Sequence, residues 1–212
     1  MKVQVKICGI RNLESALVAI DVGADFLGFN FVKTSKRYIN PISAKDIIDR
    51  IKSKNHSIRK SQDKKSNIKI VGVFQNAKFD EVNKIADELN LDFVQLHGKE
   101  DEKYMSDIKH PIIKKINHEL EVINYAKTDL QHFLIDRKKQ GEGEMVDLEM
   151  AKNIAKKYQI FFSGGLTPEN ILDVIRKVKP FAVDVASGVE TNGEQDLEKI
   201  KLFIKNAKGA IV

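Results

Sequence analysis

The sequence has very little of what disulfides and metal clusters require. Cys8 is the single cysteine among 212 residues, which excludes an internal disulfide and leaves too few thiols for a zinc finger or an iron–sulfur cluster. One cysteine fits a reducing compartment, and we expect a cytoplasmic protein. No apolar run approaches the roughly 18 residues that a membrane span needs. The chain enters its first apolar pattern at Val3, so we expect neither a signal peptide nor a membrane contact.

Positive charge is concentrated in one stretch of the chain. The net charge is +6, and residues 50–69 contain eight basic side chains against one acidic side chain. We therefore do not expect a nucleic-acid-binding surface over the whole protein. Residues 55–67 have few apolar side chains and no periodicity, which predicts a mobile basic loop. A non-catalytic phosphate- or RNA-binding protein that uses residues 50–69 is an alternative, although that stretch lacks aromatic side chains for base stacking.

Strand and helix periodicities alternate along the whole chain. At the start, Val3, Val5 and Ile7 alternate with polar residues, Gly9 breaks the strand, and Asn12 is placed to cap a helix. Eight such units predict a (β/α)8 barrel of parallel strands with an outer ring of helices. An open doubly wound sheet is the alternative, but it needs fewer units, and no G-x-G-x-x-G follows the first strand. No Pro/Gly-rich linker divides the chain, so we expect one domain over residues 1–212.

The same patterns predict the bounds of each element. Ser43 is the expected cap of the second helix, and Thr167 followed by Pro168 is the expected start of the seventh. The predicted strands are 3–8, 24–31, 68–74, 93–96, 111–116, 131–135, 159–162 and 181–186. The predicted helices are 12–22, 43–54, 78–89, 100–108, 119–127, 147–157, one from 167 onward, and 195–207.

Reactive side chains gather where the predicted strands end. In a barrel these ends meet at one face, where such folds keep their chemistry. For a lone cysteine such as Cys8, a buried and inert thiol is the alternative. The residues are Cys8, Arg37, His97, Asp136, Ser163-Gly164-Gly165, and Asp184 with Ser187-Gly188.

The last two strand ends predict a phosphate site. Gly164 and Gly165 allow backbone N–H groups to approach an anion closely. The helix that follows them would point its positive end toward the same place. Ser187-Gly188 adds a second pair of small residues, and the loops after strands seven and eight often bind phosphate in barrels. The alternative is that the two glycines only form a tight turn.

Seven short segments occur in a fixed order along nearly the whole chain. They are VKICGI (5–10), TSKRY (34–38), VGVF (71–74), VQLHG (94–98), LID (134–136), SGGLTPEN (163–170) and VDVASGVE (183–190). This ordered set resembles the phosphoribosylanthranilate isomerase family of tryptophan biosynthesis. The resemblance implies a cytosolic (β/α)8 enzyme that needs neither metal nor cofactor. It implies conversion of N-(5-phosphoribosyl)anthranilate into 1-(2-carboxyphenylamino)-1-deoxyribulose 5-phosphate.

The resemblance also implies roles for the matched residues. Cys8 would be the general base, Asp136 the general acid, and Arg37 the partner of the anthranilate carboxylate. Asp184 would line the site and polarise the reacting amine, and His97 would pack near the pocket or contact the substrate. The phosphate would be held by the backbone around Gly164, Gly165, Ser187 and Gly188.

The loop after strand six departs from the family pattern. In the family it usually reads G-x-G-K-T-F-D-W, whereas this chain has Glu144 and Leu148 in place of a lysine and an aromatic.

Two other enzymes are alternatives to this family. The related histidine-pathway isomerase performs the same rearrangement, but it has an aspartate at the position of Cys8 and a twofold internal repeat. Indole-glycerol-phosphate synthase needs catalytic lysines that these strand ends do not offer. We expect a monomer or a homodimer.

Overall fold

The structure is a computed structural model that describes residues 2–58, 68–117, 125, 130–136 and 147–210. For residues 54–58 it describes the backbone alone. Several predictions concern other parts of the chain and lie outside the described residues. These are the basic loop from residue 59 onward, the helix at 119–127 apart from Tyr125, and the loop at 137–146 with Glu144.

Eight parallel strands close into one barrel. They pair in chain order and the last strand pairs with the first, so this sheet has no open edge. This confirms the (β/α)8 barrel and excludes the open doubly wound sheet. The strands are β1 (Gln4–Cys8), β2 (Phe26–Asn30), β3 (Lys69–Phe74), β4 (Phe93–Leu96), β5 (Ile112–Ile116), β6 (His132–Ile135), β7 (Gln159–Phe162) and β8 (Ala182–Val185).

Seven α-helices fall within the described residues, and none of them is long and apolar enough to cross a membrane. The predicted cap Asn12 is confirmed, since its side chain accepts a backbone hydrogen bond in the first turn. Asp147, at the start of the predicted helix 147–157, caps its helix in the same way. After β8 the chain forms a 3-10 turn (Ser187–Val189) and an unpredicted hairpin of β9 (Glu190–Thr191) and β10 (Glu194–Gln195). The helices are α1 (Leu13–Val22), α2 (Pro41–Ile58), α3 (Phe79–Leu89), α4 (Glu102–Ser106), α5 (Leu148–Ala155), α6 (Ile171–Val178) and α7 (Leu197–Gly209).

Apolar side chains fill the barrel toward the amino ends of its strands. Six strands each contribute one residue to a cluster that is separate from the core between sheet and helices. Phe26 and Phe161 meet edge to face within it, with ring centroids 5.1 Å apart. This packing leaves the carboxyl end of the barrel for a cavity. The buried members are Phe26, Val71, Ile113, Leu134, Phe161 and Ala182.

The bounds of α2 differ from the sequence prediction. The helix begins at Pro41, because the side chain of Asn40 accepts a hydrogen bond from the backbone N–H of Ser43 at 2.9 Å and so caps it. A proline in the first helical position needs no donor. The helix also continues to Ile58, so residues 55–58 are helical and the prediction of a loop there is wrong.

The start of α6 also differs. This helix begins at Ile171 and not directly after Thr167. The side chain of Asn170 accepts a hydrogen bond from the N–H of Thr167 at 2.9 Å and donates one to the carbonyl of Gly165 at 2.8 Å. These bonds stabilise a turn before the helix. The predicted cap at Thr167 is therefore wrong, and the positive end of the helix comes about one turn later in the chain.

A buried salt bridge connects the loops after β3 and β4. Lys114 is 2% exposed, and its ammonium donates to Glu100 Oε2 and to the carbonyl of Gly98, both at 2.8 Å. Glu100 Oε1 accepts hydrogen bonds from the N–H groups of Asn76 at 2.8 Å and of Gly98 at 3.2 Å. Both charges are thus satisfied by hydrogen bonds. The network fixes the chain immediately after His97.

Lys114→Met is expected to lower the free energy of unfolding by about 3 kcal/mol or more, because Glu100 would remain buried without its cation. Urea unfolding followed by circular dichroism measures the change. Lys201→Met is the control, because Lys201 pairs with Glu198 at the surface, where a pair contributes about 1 kcal/mol at most. Equal losses in the two variants would contradict the role given to Lys114.

Candidate active site

One pocket opens at the carboxyl end of the barrel, with a volume of about 880 Å³. All nine residues to which the resemblance gave a role line it. The structure therefore brings them together, while their chemical roles stay predictions. The nine are Cys8, Arg37, His97, Asp136, Gly164, Gly165, Asp184, Ser187 and Gly188.

Cys8 ends β1 with its sulfur over Gly28 of β2. A Cβ atom at Gly28 would lie 2.8 Å from that sulfur and 3.0 Å from Nζ of Lys6, so a side chain there would displace both groups. The carbonyl of Gly28 accepts hydrogen bonds from the N–H groups of Gly9 at 2.9 Å and Ile10 at 3.0 Å. Gly9 has a φ of 78°, in the left-handed region that glycine tolerates. These contacts hold Cys8 partly exposed at the pocket.

Lys6 is a fully buried cation beside Cys8. Its ammonium donates to both carboxylate oxygens of Asp184, at 2.9 and 3.0 Å. Burial works against this charge, but the carboxylate of Asp184 and the sulfur of Cys8 outweigh it and raise the pKa of Lys6. Burial raises the pKa of Asp184, and Lys6 opposes that effect. Both oxygens of Asp184 are therefore already bonded to Lys6.

Several groups act on the thiol of Cys8. Burial has the largest effect and raises the pKa of Cys8. Lys6 lowers this pKa through its charge and a hydrogen bond, Asp184 raises it, and Arg37 lowers it. The net direction is upward from the ordinary value of a thiol. The resting group is therefore protonated near pH 7, and its thiolate form depends on the cations around it.

His97 is held as a neutral ring. Burial, followed by the charges of Lys115, Lys6 and Lys114, lowers the pKa of His97 to about 3. Its Nε2 lies 2.6 Å from Nε2 of Gln95, and an amide N–H only donates, so the ring nitrogen accepts. The amide oxygen of Gln95 is buried and has no hydrogen-bond partner among the described residues. A ring with this pKa and an occupied lone pair is a poor general base.

Asp136 follows β6 and lines the same pocket as Cys8. In the closed strand order, β7 and β8 lie between β6 and β1. Asp136 and Cys8 are therefore three strands apart around the shorter arc of the rim. The loops predicted to bind phosphate lie along that arc.

The loops after β7 and β8 approach each other backbone to backbone. A Cβ atom at Gly188 would stand 1.7 Å from the carbonyl oxygen of Leu166, so any side chain there would force the loops apart. Gly164 and Gly165 have φ values of 90° and 77°, which favour glycine. Within the part of the chain that the structure describes, their N–H groups donate to no protein acceptor. This geometry supports the prediction of a phosphate site.

The guanidinium of Arg37 is already paired with a carboxylate. Its Nε and Nη2 donate to the two oxygens of Glu190 at 2.6 and 2.7 Å. Hydrogen bonding to Glu190 raises the pKa of Arg37. Among the described residues, Nη1 has no partner. A substrate carboxylate would therefore meet the edge of the guanidinium that carries Nη1.

Four residues at the site were missed in the sequence analysis. Lys6 lies beneath the pocket, whereas Gln95, Lys115 and Glu190 line it. Lys6 and Gln95 each stand two residues before a predicted site residue, on the same face of their strand. Counting back in steps of two would have found both. Lys115 and Glu190 gave no comparable signal in the sequence. Glu190 also begins a hairpin that was not predicted.

A closed (β/α)8 barrel with glycine-containing loops after β7 and β8 has the form typical of barrel enzymes that act on phosphorylated substrates. Comparison with known proteins narrows this class to one family. The family described as N-(5'-phosphoribosyl)anthranilate (PRA) isomerase matches residues 5–206. The chain belongs to this family.

Individual relatives match over nearly their full length. The N-(5'-phosphoribosyl)anthranilate isomerase of Pelobacter propionicus is 38% identical, over 97% of this chain and 96% of that protein. A crystal structure of the Thermotoga maritima enzyme is 37% identical with a TM-score of 0.82, covering 98% of this chain and 99% of that one. Another structure is of a complex with reduced 1-(o-carboxyphenylamino)-1-deoxyribulose 5-phosphate, 36% identical with a TM-score of 0.77 and the same coverage.

Gly188→Ala is expected to weaken phosphate binding about tenfold or more, because the added Cβ would push the loop after β8 away from Leu166. The dissociation constant of inorganic phosphate is measured from its effect on the melting temperature. Gly209→Ala is the matched control, since its Cβ would meet nothing within 4 Å. Unchanged phosphate affinity in Gly188→Ala would show that the close loop contact does not shape the anion site.

Proposed function

We propose that this protein converts N-(5'-phosphoribosyl)anthranilate into 1-(2-carboxyphenylamino)-1-deoxyribulose 5-phosphate, a step of tryptophan biosynthesis. One observation carries the proposal: a chain of this family places a thiol and a carboxylate on one pocket, with two glycine-containing loops between them on the rim. A substrate whose phosphate lies at those loops would extend toward both groups. The ligand in the related isomerase complex, reduced 1-(o-carboxyphenylamino)-1-deoxyribulose 5-phosphate, carries the phosphate and the carboxylate that such a pocket would bind.

The reaction is an Amadori rearrangement, in which only protons are transferred to and from the enzyme. Asp136 protonates the furanose ring oxygen while the anthranilate nitrogen opens the ring to an iminium ion. The cation acidifies the proton on C2′, and the thiolate of Cys8 removes that proton. The resulting enolamine then tautomerises to the ketone. One acid and one base, held apart, are sufficient for these steps.

The choice of Cys8 over His97 as the base follows from their surroundings. The pKa of His97 is lowered to about 3, and its Nε2 already accepts from Gln95. Cys8 faces the pocket beside a buried ammonium. A thiolate is the stronger base of the two and has its counter-ion in place. We assign His97, bonded to Gln95, a part in the pocket wall.

Backbone groups and Arg37 would hold the two anionic ends of the substrate. The N–H groups of Gly164 and Gly165, which find no acceptor among the residues that the structure describes, suit the phosphate. Arg37 would bind the anthranilate carboxylate through the edge that Glu190 leaves open. Asp184 lines the pocket, and its proposed contact with the reacting amine would be made while Lys6 remains bonded to it.

The competing functions have weaker support. The histidine-pathway isomerase is disfavoured by the family match and by a cysteine at position 8. An RNA-binding role would depend in part on residues outside the described part of the chain, and we expect no nucleic-acid partner. We propose a cytoplasmic protein on the ground of its single cysteine. A monomer or homodimer is also proposed, since one Thermotoga maritima structure is of monomers of a dimeric enzyme.

Mixing the purified protein with freshly made phosphoribosylanthranilate should abolish the substrate's fluorescence, and this assay tests the function. Cys8→Ala and Asp136→Asn should each lower kcat by about a hundredfold or more, the usual size of a general acid or base contribution. KM should change much less, because neither group is proposed to bind the ground state. His97→Ala is the comparison. If His97→Ala were inactive while Cys8→Ala kept near-normal turnover, the general base would be His97 and not Cys8.

Arg37→Lys should raise KM by roughly tenfold to a hundredfold, since an ammonium cannot contact Glu190 and a substrate carboxylate with the same planar fork. Arg11→Lys is a matched control. Arg11 holds the neighbouring hairpin through Glu194 and the carbonyl of Gly193 and does not line the pocket. Steady-state kinetics on both variants measures the difference. Equal KM values would remove Arg37 from the substrate site.

A further inference from the structure

Lys6 is a buried charge that the proposed chemistry does not use. It stands two residues before Cys8 on β1, so both side chains point to the same face of the strand. Asp184, its register partner on β8, also holds its ammonium through two hydrogen bonds. Such a buried pair loses hydration that apolar residues of similar size would not lose. The pair therefore gives the barrel no clear gain in stability over an apolar filling.

The ammonium of Lys6 and the sulfur of Cys8 meet above one glycine. A Cβ atom at Gly28 would lie 3.0 Å from the nitrogen and 2.8 Å from the sulfur. Because residue 28 has no side chain, no atom of β2 separates the two groups there. The ammonium is thus close enough to act on the ionisation of the sulfur, on the side of Cys8 that faces into the barrel.

We propose that Lys6 is a positioning residue whose ammonium, anchored by Asp184, favours the thiolate form of Cys8 over the thiol and directs its sulfur into the pocket. This inference rests on the proposed function, in which Cys8 is the general base. The remaining faces of the thiolate would then be left for the substrate proton. Lys6 itself would not touch the substrate, because it is fully buried beneath the pocket.

The charges that face Cys8 come from three elements. β1 contributes Lys6, β8 contributes Asp184, and the loop after β2 contributes Arg37. β2 itself presents the uncharged Gly28. Lys6 and Arg37 favour the thiolate, whereas Asp184 disfavours it. Removing the lysine and removing the aspartate should therefore shift the ionisation of Cys8 in opposite directions.

A purely structural salt bridge would behave differently. If Lys6 served only to neutralise Asp184, loss of either partner would destabilise the fold without moving the ionisation of the thiol in a partner-specific direction. The sign of the shift therefore separates the two roles. Cys8 is the only cysteine of the chain, so a thiol reagent reports on this residue alone.

The test is the rate of alkylation by iodoacetamide, measured from about pH 6 to about pH 11, a range that extends well above the pKa of an ordinary thiol. The rate rises as the thiolate forms, and its midpoint gives the pKa of Cys8. In Lys6→Met the midpoint should be higher than in the unmodified chain by about one pH unit or more. In Asp184→Asn it should be lower. Lys115→Met, which removes another positive charge from the same pocket, is the control and should leave the midpoint in place.

A double variant covers the case in which Lys6→Met does not fold. Asp184→Asn and the double variant Lys6→Met with Asp184→Asn both lack the aspartate and differ only in the ammonium. The double variant should have the higher midpoint, by about one pH unit or more. Circular dichroism confirms folding before each titration. Equal midpoints in these two chains, or shifts of the same sign in both single variants, would overturn the proposal.

This experiment separates the inference from the function on which it rests. Alkylation needs neither substrate nor turnover. If Cys8→Ala retains activity while Lys6→Met still shifts the midpoint, the assignment of the base fails and the effect of Lys6 on the sulfur stands. If turnover depends on Cys8 but the alkylation midpoint is the same with and without Lys6, the function stands and the role of Lys6 fails. Where both stand, the alkaline limb of kcat/KM should move with the alkylation midpoint.

Discussion

The salt bridge between Lys6 and Asp184 joins the first barrel strand to the last, and the candidate site depends on it. The two residues are 178 positions apart in the chain, and their side chains are 0% and 5% exposed. A buried charge is costly without its partner, so β8 is favoured beside β1 in this one register. That register sets Cys8 next to the loop that follows β8.

Much of the positive charge at the pocket is already neutralised by the protein itself. Lys6 is bonded to Asp184, and Arg37 to Glu190. For a substrate with a phosphate and a carboxylate, the protein would therefore rely on directed N–H groups more than on free cations. Backbone N–H groups at Gly164 and Gly165 would cost little reorganisation if an anion bound there, because the loop that carries them follows directly from β7. The proposed phosphate site would thus give a reason for the close packing of the two loops that Gly188 allows.

The two wrong helix starts both come from local hydrogen bonds of an asparagine. Ser43 and Thr167 are caps by residue type, yet Asn40 and Asn170 make the hydrogen bonds that decide where the chain turns. Asn40 competes with Ser43 as a cap of similar strength, whereas Asn170 caps no N–H of α6 and stabilises the turn before it. Glu190 was missed for another reason: its partner Arg37 lies 153 residues away, and no local pattern encodes such a pair.

The sequence by itself determined the number of barrel strands, their order along the chain, and which reactive residues stand at their ends. These follow from periodicity and from glycine positions, which are local properties of the chain. Lys6 and Gln95 likewise stand two residues before Cys8 and His97 in the sequence. Only the tertiary structure decided which distant residues these side chains meet, since folding paired Lys6 with Asp184 and Arg37 with Glu190. The ionisation of a side chain depends on burial and on neighbouring charges, and for Cys8 those charges include groups on distant segments brought together by folding.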